Sequence, residues 1–151
     1  MLGLILCAGR GTRLANELVE MPKCMVDVGG KPILEYIANY LEKQGIQRIV
    51  INLHSWPSKV MEYFGQRFLY LYEPIPMGEY HTVNLLRGWF PSEEIMVVNG
   101  DTLITKKETG VKHCGITVYR KDGSAERLLD NEFIDVGTQK GLEEAREYVK
   151  H

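Results

Sequence analysis

Residues 2–14 read Leu-Gly-Leu-Ile-Leu-Cys-Ala-Gly-Arg-Gly-Thr-Arg-Leu, an apolar run that breaks into a turn bearing glycine and arginine. The pattern predicts a buried strand feeding an anion-binding loop. Gly9 and Gly11 carry no β-carbon, so the backbone there is expected to take positive φ and bring its N–H groups close to a phosphate. Arg10 and Arg13 add guanidinium forks that match phosphate oxygens two at a time. Many strands need a glycine-rich turn only to make a corner, so the stretch alone leaves both readings open. Pro22-Lys23, a further cation held beside a proline just downstream, favours the anion site.

The rest of the chain sets bounds on that reading. Its 151 residues have the size of one domain with one core, so residues 1–151 are expected to fold as a single unit. With 44% hydrophobic and 25% charged residues the composition is that of a soluble globular protein, which excludes a disordered or repetitive chain. A formal net charge of −2 argues against a nucleic-acid partner, because such surfaces carry a basic stripe. Cys7, Cys24 and Cys114 are odd in number and widely spaced, which indicates neither a zinc site nor a disulfide framework and fits a reducing cytoplasm. The N-terminal apolar stretch has no basic leader and runs straight into the glycine loop, so it reads as a strand and not a signal peptide. No apolar run approaches the ~20 residues a membrane helix needs.

Strand and helix signals alternate. Met25 to Val28 reads as a short extended piece closed by Gly29-Gly30, and Pro32 suits the first turn of a helix whose apolar stripe is Ile33, Leu34, Ile37, Ala38 and Leu41. Gly45 stops it. Arg48 to Leu53 is a second strand, Ser58 to Gly65 a short helix, Phe68 to Tyr72 a third strand, and Glu79 to Trp89 a further helix. Ile95 to Val98 is a fourth strand ending in Asn99-Gly100-Asp101-Thr102, read as a loop. A strand at Gly115 to Tyr119, a turn at residues 121–124, and Phe133 to Gly137 follow; Thr138 is placed as the N-cap of a last helix reaching Lys150. This rhythm implies an α/β fold, a Rossmann-like, doubly wound and mostly parallel sheet flanked by helices. The loops at 7–13, 73–78 and 99–102 all follow strands and are expected to open on one edge, where such sheets gather ligands.

Leu6-Cys7-Ala8-Gly9-Arg10-Gly11-Thr12-Arg13-Leu14, then Pro22-Lys23, then Val28-Gly29-Gly30-Lys31-Pro32 resembles the signature of the sugar-phosphate nucleotidylyltransferases. The resemblance implies transfer of a nucleoside monophosphate from a nucleoside triphosphate to a sugar 1-phosphate, with Mg2+ as cofactor. It implies Arg13 and Lys23 as the catalytic cations on the phosphates, and Leu6, Cys7, Ala8, Gly9, Arg10, Gly11, Thr12, Gly78, Asn99 and Gly100 around the nucleotide. Asp101, in its Asn-Gly-Asp context, and Asp135, in Asp-Val-Gly-Thr, are implied as the metal carboxylates. The bland readings stand beside these: an Asx-turn for Asp101, a favourable helix-dipole charge for Asp135, a solvated surface cation for Lys23.

The sequence departs from the family pattern in two places. Glu79, Tyr80 and His81 replace small residues after Met77-Gly78 and are expected to narrow or re-line the pocket, unless Tyr80 and His81 simply lie on a helix surface; Thr82 keeps a hydroxyl. Only 33 residues lie between Asp101 and Asp135, where the family commonly inserts a sugar-binding segment, so the acceptor lobe is reduced or completed by a second subunit in a homodimer. Phosphocholine or another small phosphate ester is an alternative acceptor. A molybdopterin acceptor fits less well, since the loop lacks the Ser-x-Arg-Met-Gly variant. The rival of a different class is a silent nucleotide-sugar-binding regulator, which would have no need of Lys23 and both aspartates.

Overall fold

The computed structural model describes residues 1–9, 20–105, 115–128 and 132–151. Arg10, Gly11, Thr12, Arg13 and Cys114 therefore lie outside the described residues. In chain order the elements are β1 (Leu2–Leu6), a 3-10 turn (Lys23–Met25), β2 (Asp27–Val28), β3 (Lys31–Pro32), α1 (Ile33–Lys43), β4 (Arg48–Leu53) and α2 (Pro57–Phe64). A second 3-10 turn, Gly65–Arg67, leads to β5 (Leu69–Tyr72), α3 (Glu79–Trp89), β6 (Ile95–Asn99) and β7 (Thr102–Thr105). Then come β8 (Ile116–Tyr119), β9 (Ala125–Arg127), β10 (Glu132–Asp135) and α4 (Gln139–Tyr148).

β1 lies inside the main sheet, parallel to β4 on one side (Leu2 opposite Arg48, Leu6 opposite Asn52) and to β6 on the other (Leu2 opposite Ile95, Leu6 opposite Asn99). The sheet order is β5-β4-β1-β6-β8-β9, with β5 also parallel and β8 and β9 antiparallel. The chain thus builds outward from β1 through β4 to β5, then returns across it to β6. The strand order reverses between β1 and β6, and the crevice at their carboxyl ends is where such a sheet receives ligands.

Alternation along β1 and β4 explains why both faces are covered. Leu2, Leu4 and Val50 join Ile95, Val97 and α3's Val83 and Leu86 on one face. Ile5, Ile49, Ile51 and Leu53 pack with Ile33, Leu34, Ile37, Ala38 and Leu41 of α1 and Leu142 and Ala145 of α4 on the other. Strands buried on both faces read as continuous apolar runs, as residues 2–6 and 95–98 do.

Four local expectations are corrected. Thr102 is not the end of a loop but opens β7, which pairs antiparallel with β10, Asp135 opposite Thr102. Met25 belongs to a 3-10 turn, whose hydrogen bonds run from Met25 N–H to Pro22 O and from Val26 N–H to Lys23 O, and not to an extended piece. Pro32 has φ −65° and ψ 146°, so it ends β3 as the residue before α1 and not within it. Gly9 does not adopt positive φ, in contrast to Gly29, Gly30 and Gly78. A β-carbon on Gly9 would meet nothing within 4 Å.

Candidate functional site

A cleft of about 290 Å3 opens at the reversal point, lined by Leu6, Cys7, Gly9, Lys23, Cys24, Asn99, Gly100 and Asp101. Its floor is set by a close approach of β1 and β6. Gly100 N–H donates to Leu6 O at 2.9 Å, and a β-carbon at Gly100 would lie 2.6 Å from that oxygen and 2.8 Å from Cys7 Sγ. Only glycine closes the two strands this tightly. Ala8 is buried behind the loop.

On the wall of the cleft Lys23 Nζ forms an ion pair with Asp101 Oδ2 at 2.8 Å, with both side chains half-buried. The 3-10 turn after Pro22 presents Lys23, and the step from β6 into β7 presents Asp101. Asp135 reaches the same place through the β7–β10 ladder: Val136 N–H donates to Asp101 O at 2.8 Å. Gly137 sits between the groups, since a β-carbon there would be 2.7 Å from Lys23 Nζ and 2.8 Å from Asp135 Oδ1. Asp135 Oδ1 accepts from Gly137 N–H at 2.7 Å and Asp101 Oδ1 accepts from the Thr102 hydroxyl at 3.2 Å. Asp101 thus uses one oxygen locally and the other on the cleft cation, while Asp135 Oδ1 closes the turn into Gly137.

A buried polar chain that the sequence reading missed runs behind this wall. Cys7 N–H donates to Asn52 Oδ1 at 2.6 Å, and Asn52 Nδ2 donates to Glu73 Oε1 at 3.0 Å. The Thr82 hydroxyl lies 2.7 Å from Glu73 Oε1 and 3.2 Å from Gly78 O. Glu73 Oε2 is buried without a hydrogen-bond partner among the described residues. Glu73 also lines a second cleft of about 340 Å3 with Leu71, Tyr72, Pro74, Ile75, Met77, His81 and Leu85. A buried carboxylate oxygen with no donor is costly unless a ligand or water supplies one. The visible signal in the sequence was a lone asparagine in the apolar run 49–53 and a glutamate closing 69–73.

Gly78, at φ 94°, caps α3, a conformation that favours glycine. Tyr80 and His81 are exposed, and Glu79 accepts a hydrogen bond from the Tyr119 hydroxyl across to β8. Of the three bulky residues, His81 lines the second cleft. Burial pushes the Cys7 thiol well above its ordinary value, with the Cys24 thiol and the Asp101 charge acting in the same direction. Cys7 is thus a neutral wall of the cleft and not a nucleophile.

No group of three metal-ligating side chains occurs among the described residues. The available donors are two carboxylates, hard oxygen ligands that fit an ion keeping several waters and taking the rest of its shell from a phosphate, which is the habit of Mg2+. No described helix is long and apolar enough to cross a membrane.

The pattern of the MobA-like NTP transferase domain matches residues 3–115. Over 107 residues the chain is 36% identical to the D-glycero-alpha-D-manno-heptose 1-phosphate guanylyltransferase of Campylobacter jejuni, covering 68% of this chain and 48% of that protein. The protein of the same name from Aneurinibacillus thermoaerophilus is 33% identical over 108 residues, covering 68% and 47%. The chain spans about half the length of these curated relatives. Among solved structures, HddC from Yersinia pseudotuberculosis complexed with GMP-PN shares the fold at a TM-score of 0.75 and 19% identity, over 98% of this chain and 99% of that one. UDP-glucose pyrophosphorylase from Acinetobacter baumanii superposes at a TM-score of 0.62 and 22% identity, over 73% and 48%. With the sheet order, the crevice at the β1/β6 reversal and the match over residues 3–115 in hand, the chain belongs to the MobA-like NTP transferase domain family.

Proposed function

We propose that the chain carries the catalytic half of a Mg2+-dependent nucleotidylyltransferase that moves a nucleoside monophosphate onto a sugar 1-phosphate. The observation that carries the reading is the Lys23–Asp101 ion pair on the wall of the β1/β6 crevice, with Asp135 held next to it by the β7–β10 ladder, from three separate parts of the chain. Nucleotidyl transfer asks little covalent chemistry of a protein: it needs the reactants placed in line and the charge on non-bridging oxygens neutralised.

In the reaction an oxygen of the sugar phosphate forms a bond to the α-phosphorus as the α–β bridging bond breaks, and pyrophosphate departs with the electron pair. No covalent enzyme intermediate is required, because the acceptor is already anionic. Lys23 is assigned by the family pattern to the α-phosphate and the incoming phosphate, an arrangement that would lower the repulsion between them. The family pattern assigns the backbone N–H groups of the loop after β1 to the remaining phosphates and Arg13 to the leaving pyrophosphate. Asp101 and Asp135 would hold the metal, which when bound supplies positive charge to the reacting phosphate.

Glu73 gives the second cleft a role. Its carboxylate lines that cleft and offers an acceptor to N–H donors of a base, of which guanine presents two, N1–H and the neighbouring 2-amino group. The relatives named as guanylyltransferases point the same way. The test is pyrophosphate release from a panel of nucleoside triphosphates and sugar 1-phosphates with Mg2+, including phosphocholine as acceptor. Release is expected with GTP above the others. A folded protein that binds a nucleotide sugar and releases no pyrophosphate with any pair would instead be a silent binding protein.

A further inference from the structure

We propose that Lys23 has a second role as the built-in counter-ion of Asp101, barring free divalent metal so that the site accepts metal only together with a polyphosphate. The inference rests on the transfer reading above and adds an order of assembly to it. Asp101 precedes β7, whose first residue Thr102 stands opposite Asp135 in β10, and a carboxylate at such a site is favoured by a cation beside it. Here that cation is the Lys23 ammonium, 2.8 Å from Asp101 Oδ2 and pressed past Gly137 close enough that a β-carbon there would be 2.7 Å from Nζ and 2.8 Å from Asp135 Oδ1.

The allocation of oxygens makes the competition direct. Asp101 Oδ1 is engaged by the Thr102 hydroxyl and Asp135 Oδ1 by Gly137 N–H, both neutral donors. Asp101 Oδ2 is held by Lys23. Mg2+ needs its oxygens at about 2.0–2.1 Å, so an ion taking Asp101 through Oδ2 must displace the ammonium and would meet its charge on the way in. Lysine is suited to yield: its ammonium is a point charge on a flexible four-carbon stem. It yields at little cost only if a new anion receives it. A triphosphate brings that anion, so the ammonium exchanges Asp101 for phosphate while the dication takes the carboxylates, and no charge is stranded at any stage.

The experiment is titration of the whole protein with Mn2+ alone, without nucleotide, followed by calorimetry and by the electron-spin signal of free Mn2+. K23M is expected to bind Mn2+ about tenfold more tightly than the unaltered protein, the size of one removed like-charge neighbour at a partly exposed site. K23R, which keeps the charge, is expected to match the unaltered protein. D101N added to K23M is expected to abolish the gain. K23A, which leaves space where K23M packs a methyl group, is the second variant, and circular dichroism confirms the fold of each. Equal or weaker Mn2+ binding in K23M and K23A overturns the counter-ion role, as does a gain that survives D101N. Pyrophosphate release by the unaltered protein is read separately. Release without a gain in K23M overturns the counter-ion role alone; a gain in K23M without release supports it and overturns the transfer reading.

Discussion

Single residues decide the chemistry of the cleft, and two of them allow sharp tests. D101N removes a charge at a partly exposed strand end and leaves the backbone bonds of β6 and β7 in place. Nucleotidyl transfer is expected to fall by about a hundredfold or more, the usual scale for losing an electrostatic group at a reacting phosphate, while the melting temperature stays near that of the parent. Unchanged turnover would remove Asp101 from the site. Gly137→Ala acts differently, because its β-carbon would meet the flexible ends of Lys23 and Asp135 and not backbone. Those ends can yield, so stability measured in urea is expected to change by under about 1 kcal/mol. Transfer is expected to drop about tenfold through misplacement of both groups. The family resemblance named Lys23 and the two aspartates as candidates, and packing pairs Lys23 with Asp101. Asn52 and Glu73 were not legible in the sequence, because their importance comes from the Cys7–Asn52–Glu73–Thr82 chain of hydrogen bonds, which joins residues far apart in sequence.

Among the elements, the joint between β10 and α4 fixes Asp135. Thr138 accepts from Gly141 N–H at 3.1 Å, the N-cap expected from the sequence, and Gly141 packs so closely that a β-carbon would fall 1.6 Å from Asp135 O. Backbone cannot step aside as a lysine tail can. Gly141→Ala is expected to cost about 3 kcal/mol or more in chemical unfolding, as α4 is levered off β10. Thr138→Ala, which loses only the cap, is expected to cost about 1 kcal/mol. The reverse ranking would mean that α4 does not seat on this strand. The strand β7 went unread because Thr102 to Thr105 is short and follows a glycine turn; it becomes a strand only by pairing with β10, which lies far downstream in the chain. The corrected start of α1 has a local cause. Pro32 carries an extended ψ of 146° and belongs to the β2–β3 ladder, with Asp27 as its partner.

For the whole molecule, burial of Cys7 ties folding to pH. Its folded-state thiol holds its proton well above the ordinary range because the thiol is buried, with Cys24 and Asp101 adding to the shift. The unfolded thiol ionises near about pH 8.5, so above that value the unfolded chain binds fewer protons than the folded one. Linkage then makes stability fall as pH rises, by at most about 1.4 kcal/mol per pH unit for one group. Tyr119, pushed up by burial and by Glu79, adds a loss of the same sign at still higher pH. Urea midpoints between pH 7.5 and 9.5 are expected to decline, and Cys7→Ala is expected to flatten the slope whatever it does to the absolute value. A slope unchanged by that substitution would assign the decline to other groups.

Everything carried by local pattern was already written in the amino-acid order. Continuous apolar runs announced strands buried on both faces, the 33-34-37-38-41 stripe announced α1, and the ordered motifs announced the nucleotidyltransferase resemblance. The loops after β1, β5 and β6 share one edge as that pattern implies, since these strands are parallel. Which oxygen meets which cation was settled by packing alone. Lys23 and Asp101 stand 78 positions apart, and neither residue's neighbours in sequence encode their 2.8 Å contact. That contact depends on the close approach of β1 and β6 over Gly100 and on the ladder that folds Asp135 back beside Asp101. Pattern along a chain specifies faces and elements; distances between charges arise only when separate elements are packed against each other.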